Sequence, residues 1–272
     1  MPGSEHLVSV VPVVLVSLGL SVAMAGAWLV RRWTGNAGWI DVIWTLATGT
    51  ACVAYGVTAD GPRGWLVAAL TAVWALRLGG HIAIRASRGG DDPRYARLKA
   101  DWGAAFEPRL FKFLQLQALA GALLALSAWL AARNPAAFPG LFDVAGAALV
   151  IGAIAGEALA DAQLSAFRRS GGKGVCDRGL WAWSRHPNYF FEWLVWVGVA
   201  LIALDPTLDW PWGVLALLAP LYMWWLLARV SGIPPLEAHM ARTRGQTWRD
   251  YAARTSAFFP WPPRRTSEER PS

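Results

Sequence analysis

Seven long apolar runs constrain this chain before any motif is considered: Leu7–Val30, Trp39–Val57, Trp65–Ile84, Phe111–Ala132, Phe142–Leu164, Tyr189–Leu204 and Trp210–Val230, the sixth rather short. A helix needs about 20 such residues to cross a bilayer core. Charged residues make up only 16% of the chain, against about 25% in soluble domains, and hydrophobic residues make up 55%. That is too little charge for a water-soluble surface. The expected fold is therefore all-α, a polytopic membrane protein with about seven transmembrane helices. No linker, repeat or separately folding soluble segment interrupts the chain, so residues 1–272 are expected to form a single membrane domain.

The basic residues add an orientation, because cytoplasmic loops accumulate Lys and Arg. Of the 25 basic residues, 22 lie in the regions after the first, third and fifth runs and from Arg229 onward, counting Lys112 at the edge of the fourth run, only Arg63 and Arg133 lie in the opposite loops, and Arg77 is deep inside the third run. The N-terminus is expected outside and the C-terminus in the cytoplasm. The first run reads as an uncleaved span rather than a signal peptide, since no Lys or Arg precedes it and it is too long for such a core. The net charge of +7 is mostly this topological signal, so no nucleic-acid partner is called for. Cys52 and Cys176 offer neither a metal-ligand spacing nor a disulfide framework, and no metal is expected.

Ionisable residues at bilayer depth are costly and face protein or a wet cavity. Here they recur at helical spacing: Glu157, Asp161 and Arg168 on one stripe, Arg77 and His81 on another, and Asn188 with Glu192 on a third. Each stripe lies toward the expected cytoplasmic end, beside a basic loop. Interhelical ion pairs are the plain alternative, but three stripes at one face suit an anion-binding cavity better. Among the 18 Trp, Trp33, Trp39, Trp65, Trp129, Trp210 and Trp212 fit an interfacial belt, whereas Trp44, Trp74, Trp193 and Trp196 lie deeper, filling a core or lining a ligand pocket.

The most specific stretch is DRGLWAWSRHPNYFFE, Asp177 to Glu192. Pro187 suits the first turn of a helix, where its missing amide would go unpaired anyway. Arg185 and His186 then sit beside the partial positive charge of that helix terminus, a setting that favours phosphate groups.

This run, with EALADAQLSAFRR (Glu157–Arg169) before it and Arg229, Glu237 and WRDYAARTSAFFPW (Trp248–Trp261) after it, resembles the C-terminal half of the steroid 5α-reductase and sterol reductase superfamily. GWIDVIW (Gly38–Trp44) and DDPRYARLK (Asp91–Lys99) resemble bacterial membrane proteins of unknown function grouped with it. The resemblance implies a seven-helix enzyme of the bacterial cytoplasmic membrane, with residues 142–262 carrying the cofactor motifs. It would bind NADPH from the cytoplasmic side and reduce a carbon–carbon double bond in a hydrophobic substrate, steroid-like, polyprenoid or lipid. Asp161, Arg168, Asn188 and Glu192 match positions that hold the dinucleotide, while Arg178, Tyr251 and Arg254 fall in neighbouring matched segments. Several Arg donors suit a cofactor with three phosphates.

One departure concerns the acid. The steroid reductases use a tyrosine of the third helix to hydrogen-bond the substrate ketone; here Trp74, Arg77 and His81 stand near that place. His81, or a buried and protonated Asp41, is then the candidate donor. A rival reading comes from the isoprenylcysteine methyltransferases, which share the His-Pro turn and the tail but bind S-adenosylmethionine. A third is a non-enzymatic lipid-binding or transport protein.

Overall fold

The computed structural model describes residues 10–89, 92–172, 174–207 and 209–264, so Leu7, Val8 and Ser9 of the first expected run, Asp91 and Lys173 lie outside the described residues. The described residues are mostly helical, with no strand among them: α1 (Val10–Thr34), α2 (Gly38–Val57), α3 (Pro62–Ser87), α4 (Pro93–Trp102), α5 (Phe106–Ala132), α6 (Leu141–Arg169), α7 (Leu180–Trp183), α8 (Pro187–Ala203), α9 (Leu218–Trp225) and α10 (Ile233–Arg254). Six helical stretches are long and apolar enough to cross a membrane, and α8 is the short apolar helix of 17 residues. The chain is an all-α polytopic membrane protein.

The seventh expected run is not one regular helix. It passes from a 3₁₀ segment (Pro211–Leu217) through α9 to a five-residue π-helix (Leu226–Val230).

The described residues fall into two compact units, those within Met1–Phe138 and Ala203–Ala216 and those within Pro139–Ile202 and Leu217–Ser272. In the first, Leu20, Met24, Ile40, Leu110 and Leu114 are buried together from α1, α2 and α5. Without a hydrophobic force between helices in lipid, close backbone approach holds them together. Helices α2 and α3 show this at Gly56 and Gly64, where an added Cβ would lie 2.6 Å and 2.5 Å from the other glycine's carbonyl oxygen. In the second unit Gly146 and Gly198 bring α6 and α8 together in the same way.

The two arginines of the opposite loops are fasteners rather than free charges. Arg63, only 6% exposed, donates to the carbonyl oxygens of Asn134, Ala136 and Ala137, and Arg133 donates to those of Tyr55 and Thr58. They tie the α2–α3 turn to the end of α5.

The belt assignment needs one correction. Trp33, Trp65 and Trp212 are exposed as an interfacial role requires, but Trp129 is buried, edge-on to Tyr55 and beneath the Arg133 guanidinium. Of the deeper indoles, Trp74 and Trp196 are fully buried, while Trp44 and Trp193 donate to the carbonyls of Gln117 and Pro220.

Candidate functional site

The second unit holds the Asp177–Glu192 segment, and local hydrogen bonds explain its path. The α6 side chain of Gln163 accepts from the Leu180 amide at 3.0 Å, and Trp181 Nε1 donates to the Ala160 carbonyl at 2.9 Å, so α7 is fixed against α6. Ser184 is extended, its backbone bridging in parallel to Ser256, and its Oγ donates to the Phe258 carbonyl while accepting from the His186 amide. The chain then enters α8 at Pro187. Apart from the local His186–Ser184 bond, these contacts hold the motif to α6 or to the tail that follows α10.

Arg185 is the centre of this arrangement. Its guanidinium forms a bidentate pair with Glu237 of α10, at 2.8 and 3.1 Å, and donates to the carbonyls of Ala252 (2.8 Å) and Thr255 (2.7 Å). Its amide donates to the Ser256 carbonyl. Planar, forked donors suit such a mixed carboxylate and carbonyl cradle.

His186, 3% exposed, meets the same carboxylate through Nε2 at 3.1 Å and stacks on Tyr189 with ring centroids 5.5 Å apart. Burial holds its imidazole below the ordinary value of 6.5. The hydrogen bond and charge of Glu237 oppose that shift without cancelling it, and Arg185 adds to it. A neutral ring donating Nε2–H to Glu237 is the state this site favours.

The other expected residues of this unit divide into two groups. Tyr251 is buried with its hydroxyl donating to the Trp181 carbonyl at 2.6 Å, and Arg254 pairs with Asp177 at 2.5 Å. These two, like Arg185, hold the tail in place. Glu192 is buried on α8 and accepts from Trp196 Nε1 at 3.3 Å; Asp161 is half-buried on α6 and has polar partners. Arg168, at the end of α6, and Arg178, in the loop, are exposed, and Asn188 is half-buried in the first turn of α8. None of these three side chains is hydrogen bonded or ion-paired among the described residues. They are the donors left available to an anion. Cys176 is buried, which pushes its thiol up and away from nucleophilic chemistry.

Asp41 and His81 belong to the first unit. His81 is half-buried on α3 with a polar partner. Asp41 differs from the protonated donor expected of it: one carboxylate oxygen accepts from Arg94 and the other from the Tyr95 hydroxyl at 3.1 Å. Both oxygens are thus taken up within the α2–α4 contacts, and the carboxyl group is engaged as an acceptor rather than turned toward a substrate. The role of Glu237 as shared acceptor for Arg185 and His186 is what the residues alone did not disclose. Its partners are about 50 positions away in sequence, beyond any local periodicity.

Linkage gives His186 a signature. Between its depressed folded value and 6.5 the unfolded chain binds a proton that the folded chain does not, so stability falls as pH falls through that window. The expected loss is at most about 1.4 kcal/mol per pH unit. Thermal unfolding of the detergent-solubilised protein from pH 7.5 to 5 checks it: His186→Gln should flatten the slope relative to wild type, and parallel slopes would remove His186 as its source.

Comparison with known proteins adds a family. Over 274 aligned residues the chain is 26% identical to an uncharacterized protein of Schizosaccharomyces pombe, covering 86% of this chain and 75% of that one. No solved structure matches. Residues 27–255, which include α2 to α9 and the candidate site residues from Asp41 to Arg254, match the model for the family described as protein of unknown function (DUF1295), and the chain belongs to that family.

Proposed function

We propose that the protein is an integral membrane reductase that uses NADPH to reduce a carbon–carbon double bond in a hydrophobic substrate. The observation that supports this reading most is the contrast among the arginines of the second unit. Arg185 and Arg254 are occupied by Glu237 and Asp177, whereas Arg168 and Arg178 are exposed without partners among the described residues, near in sequence to the unpartnered Asn188. Guanidinium and amide donors with no protein acceptor fit the phosphates of a dinucleotide. The resemblance of this segment to the steroid and sterol reductases points the same way. Asp161 and Glu192 would then accept from ribose or amide groups of the cofactor.

NADPH supplies a hydride when bound. The chain's own task is to place a lipophilic enone beside it and to stabilise the negative charge that develops on the carbonyl oxygen, for which a positioned donor is required. With Asp41 engaged by Arg94 and Tyr95, His81 is the donor this reading assigns. The distribution of basic residues supports a cytoplasmic C-terminus in a bacterial inner membrane, where the cofactor is available. A fluorescent fusion at Ser272 should mature in cells; a dark fusion, with an active periplasmic phosphatase fused at the same place, would reverse the orientation.

Binding measurements on detergent-purified full-length protein test the cofactor. NADPH should raise its melting temperature, and S-adenosylmethionine should not, because only a ligand of the native state stabilises it. Arg168→Ala should weaken NADPH binding by about 1.5–3 kcal/mol. His81→Ala should keep NADPH affinity and lose about 100-fold or more in enone-dependent NADPH oxidation. Stabilisation by S-adenosylmethionine alone would transfer the protein to the methyltransferase reading, and an Arg168→Ala protein with unchanged NADPH affinity would contradict the assigned site.

A further inference from the structure

A second place in the molecule has the chemistry of a ligand site and no role in the reading above. In the first unit, Trp102, Arg109, Lys112, Phe113 and Leu116 line an open hollow of about 340 Å³ at the basic end of α5. The last four recur at i, i+3, i+4 and i+7, one stripe down a single helix face. Trp102, from the end of α4, closes one side edge-on to Phe113, with ring centroids 6.3 Å apart.

The charge of this hollow is unbalanced. Arg109 and Lys112 are exposed, and neither is hydrogen bonded or ion-paired among the described residues. The neighbouring acids are already engaged, Glu107 with Arg31 and Asp101 with Arg97. Two like charges three residues apart on a helix repel, and an anion between them relieves that repulsion.

The order along the helix decides what kind of anion fits. The cations come first, at the terminus of α5, and the apolar side chains follow deeper into a stretch long and apolar enough to cross the membrane, with Leu116 61% exposed. A free phosphate would meet the two cations and leave Phe113 and Leu116 bare. A phospholipid has its phosphate and its chain in the same sequence as the stripe. We propose that this hollow is a binding site for an anionic phospholipid, its phosphate held between Arg109 and Lys112 and its acyl chain lying along Phe113 and Leu116, with Trp102 as the shelf at headgroup level.

The test titrates delipidated full-length protein in neutral detergent with dioleoylphosphatidylglycerol, dioleoylphosphatidylcholine or inorganic phosphate, following bound lipid by native mass spectrometry and melting temperature in parallel. Phosphatidylglycerol should bind and stabilise; phosphatidylcholine should bind at least fivefold more weakly, and inorganic phosphate should not stabilise. Arg109→Gln or Lys112→Gln should each weaken phosphatidylglycerol binding about fivefold, and the double variant about 30-fold. The charge-matched control Arg242→Gln/Arg244→Gln, exposed on α10, should leave it unchanged. Equal losses in the control and in the double variant would overturn the site in favour of diffuse charge attraction. Stabilisation by inorganic phosphate as strong as by the lipid would make it a free-anion site, and equal binding of phosphatidylcholine, which carries the same phosphate but no net charge, would overturn the claim of an anionic-lipid site; this last comparison needs no variant.

Discussion

The Arg185 guanidinium is the constraint on which the second unit depends. Placing a charge at 12% side-chain exposure costs several kcal/mol unless it is paired and its remaining protons are satisfied. Here one carboxylate and two backbone carbonyls meet it, drawn from three points between Glu237 and Thr255. The same interaction therefore closes α10 and the following tail over the motif. Removing either partner leaves the other only partly satisfied inside the protein. His186 shares the carboxylate, and the Ser184 and Tyr251 hydroxyls finish the closure on backbone carbonyls.

This closure sorts the polar residues by what they can do. A side chain whose donors already face protein acceptors positions its neighbours, and one whose donors face none is available to a ligand. Arg185, Tyr251 and Arg254 fall in the first class; Arg168, Arg178 and Asn188 fall in the second. The first unit shows the same division. Asp41, Arg94, Asp92 and Tyr95 form a network that locks the start of α2 to α4, with Asp92 also capping α4. That network accounts for GWID and DPRY as structural segments, while Arg109 and Lys112, a few residues on, stay outside it.

The apolar runs were legible because length and hydropathy are local quantities. Five of the seven became regular helices long enough to span, and α8 was short as its run required. The irregular backbone from Pro211 to Val230 was not, because a 3₁₀ or π segment leaves no compositional mark when every residue is apolar. The burial of Trp129 was hidden for a related reason: its place near a helix end is interfacial, but its direction is set by Tyr55 and Arg133 on other segments. Arg185 and His186 were legible as functional-looking residues and not as partners of Glu237, since pairing across some 50 residues is a property of the fold. The engagement of Asp41 was hidden on the same ground, since its partner Arg94 stands 53 residues away.

A double-mutant cycle on Arg185 and Glu237 tests the central claim most directly, using Arg185→Gln, Glu237→Gln and the double variant, with unfolding followed in mixed detergent micelles. If one bidentate pair closes α10 over the motif, the two losses overlap and the interaction energy is about 1.5 kcal/mol or more. Losses that add within about 0.5 kcal/mol would contradict the account, because the two side chains would then act independently and something else would hold the tail in place.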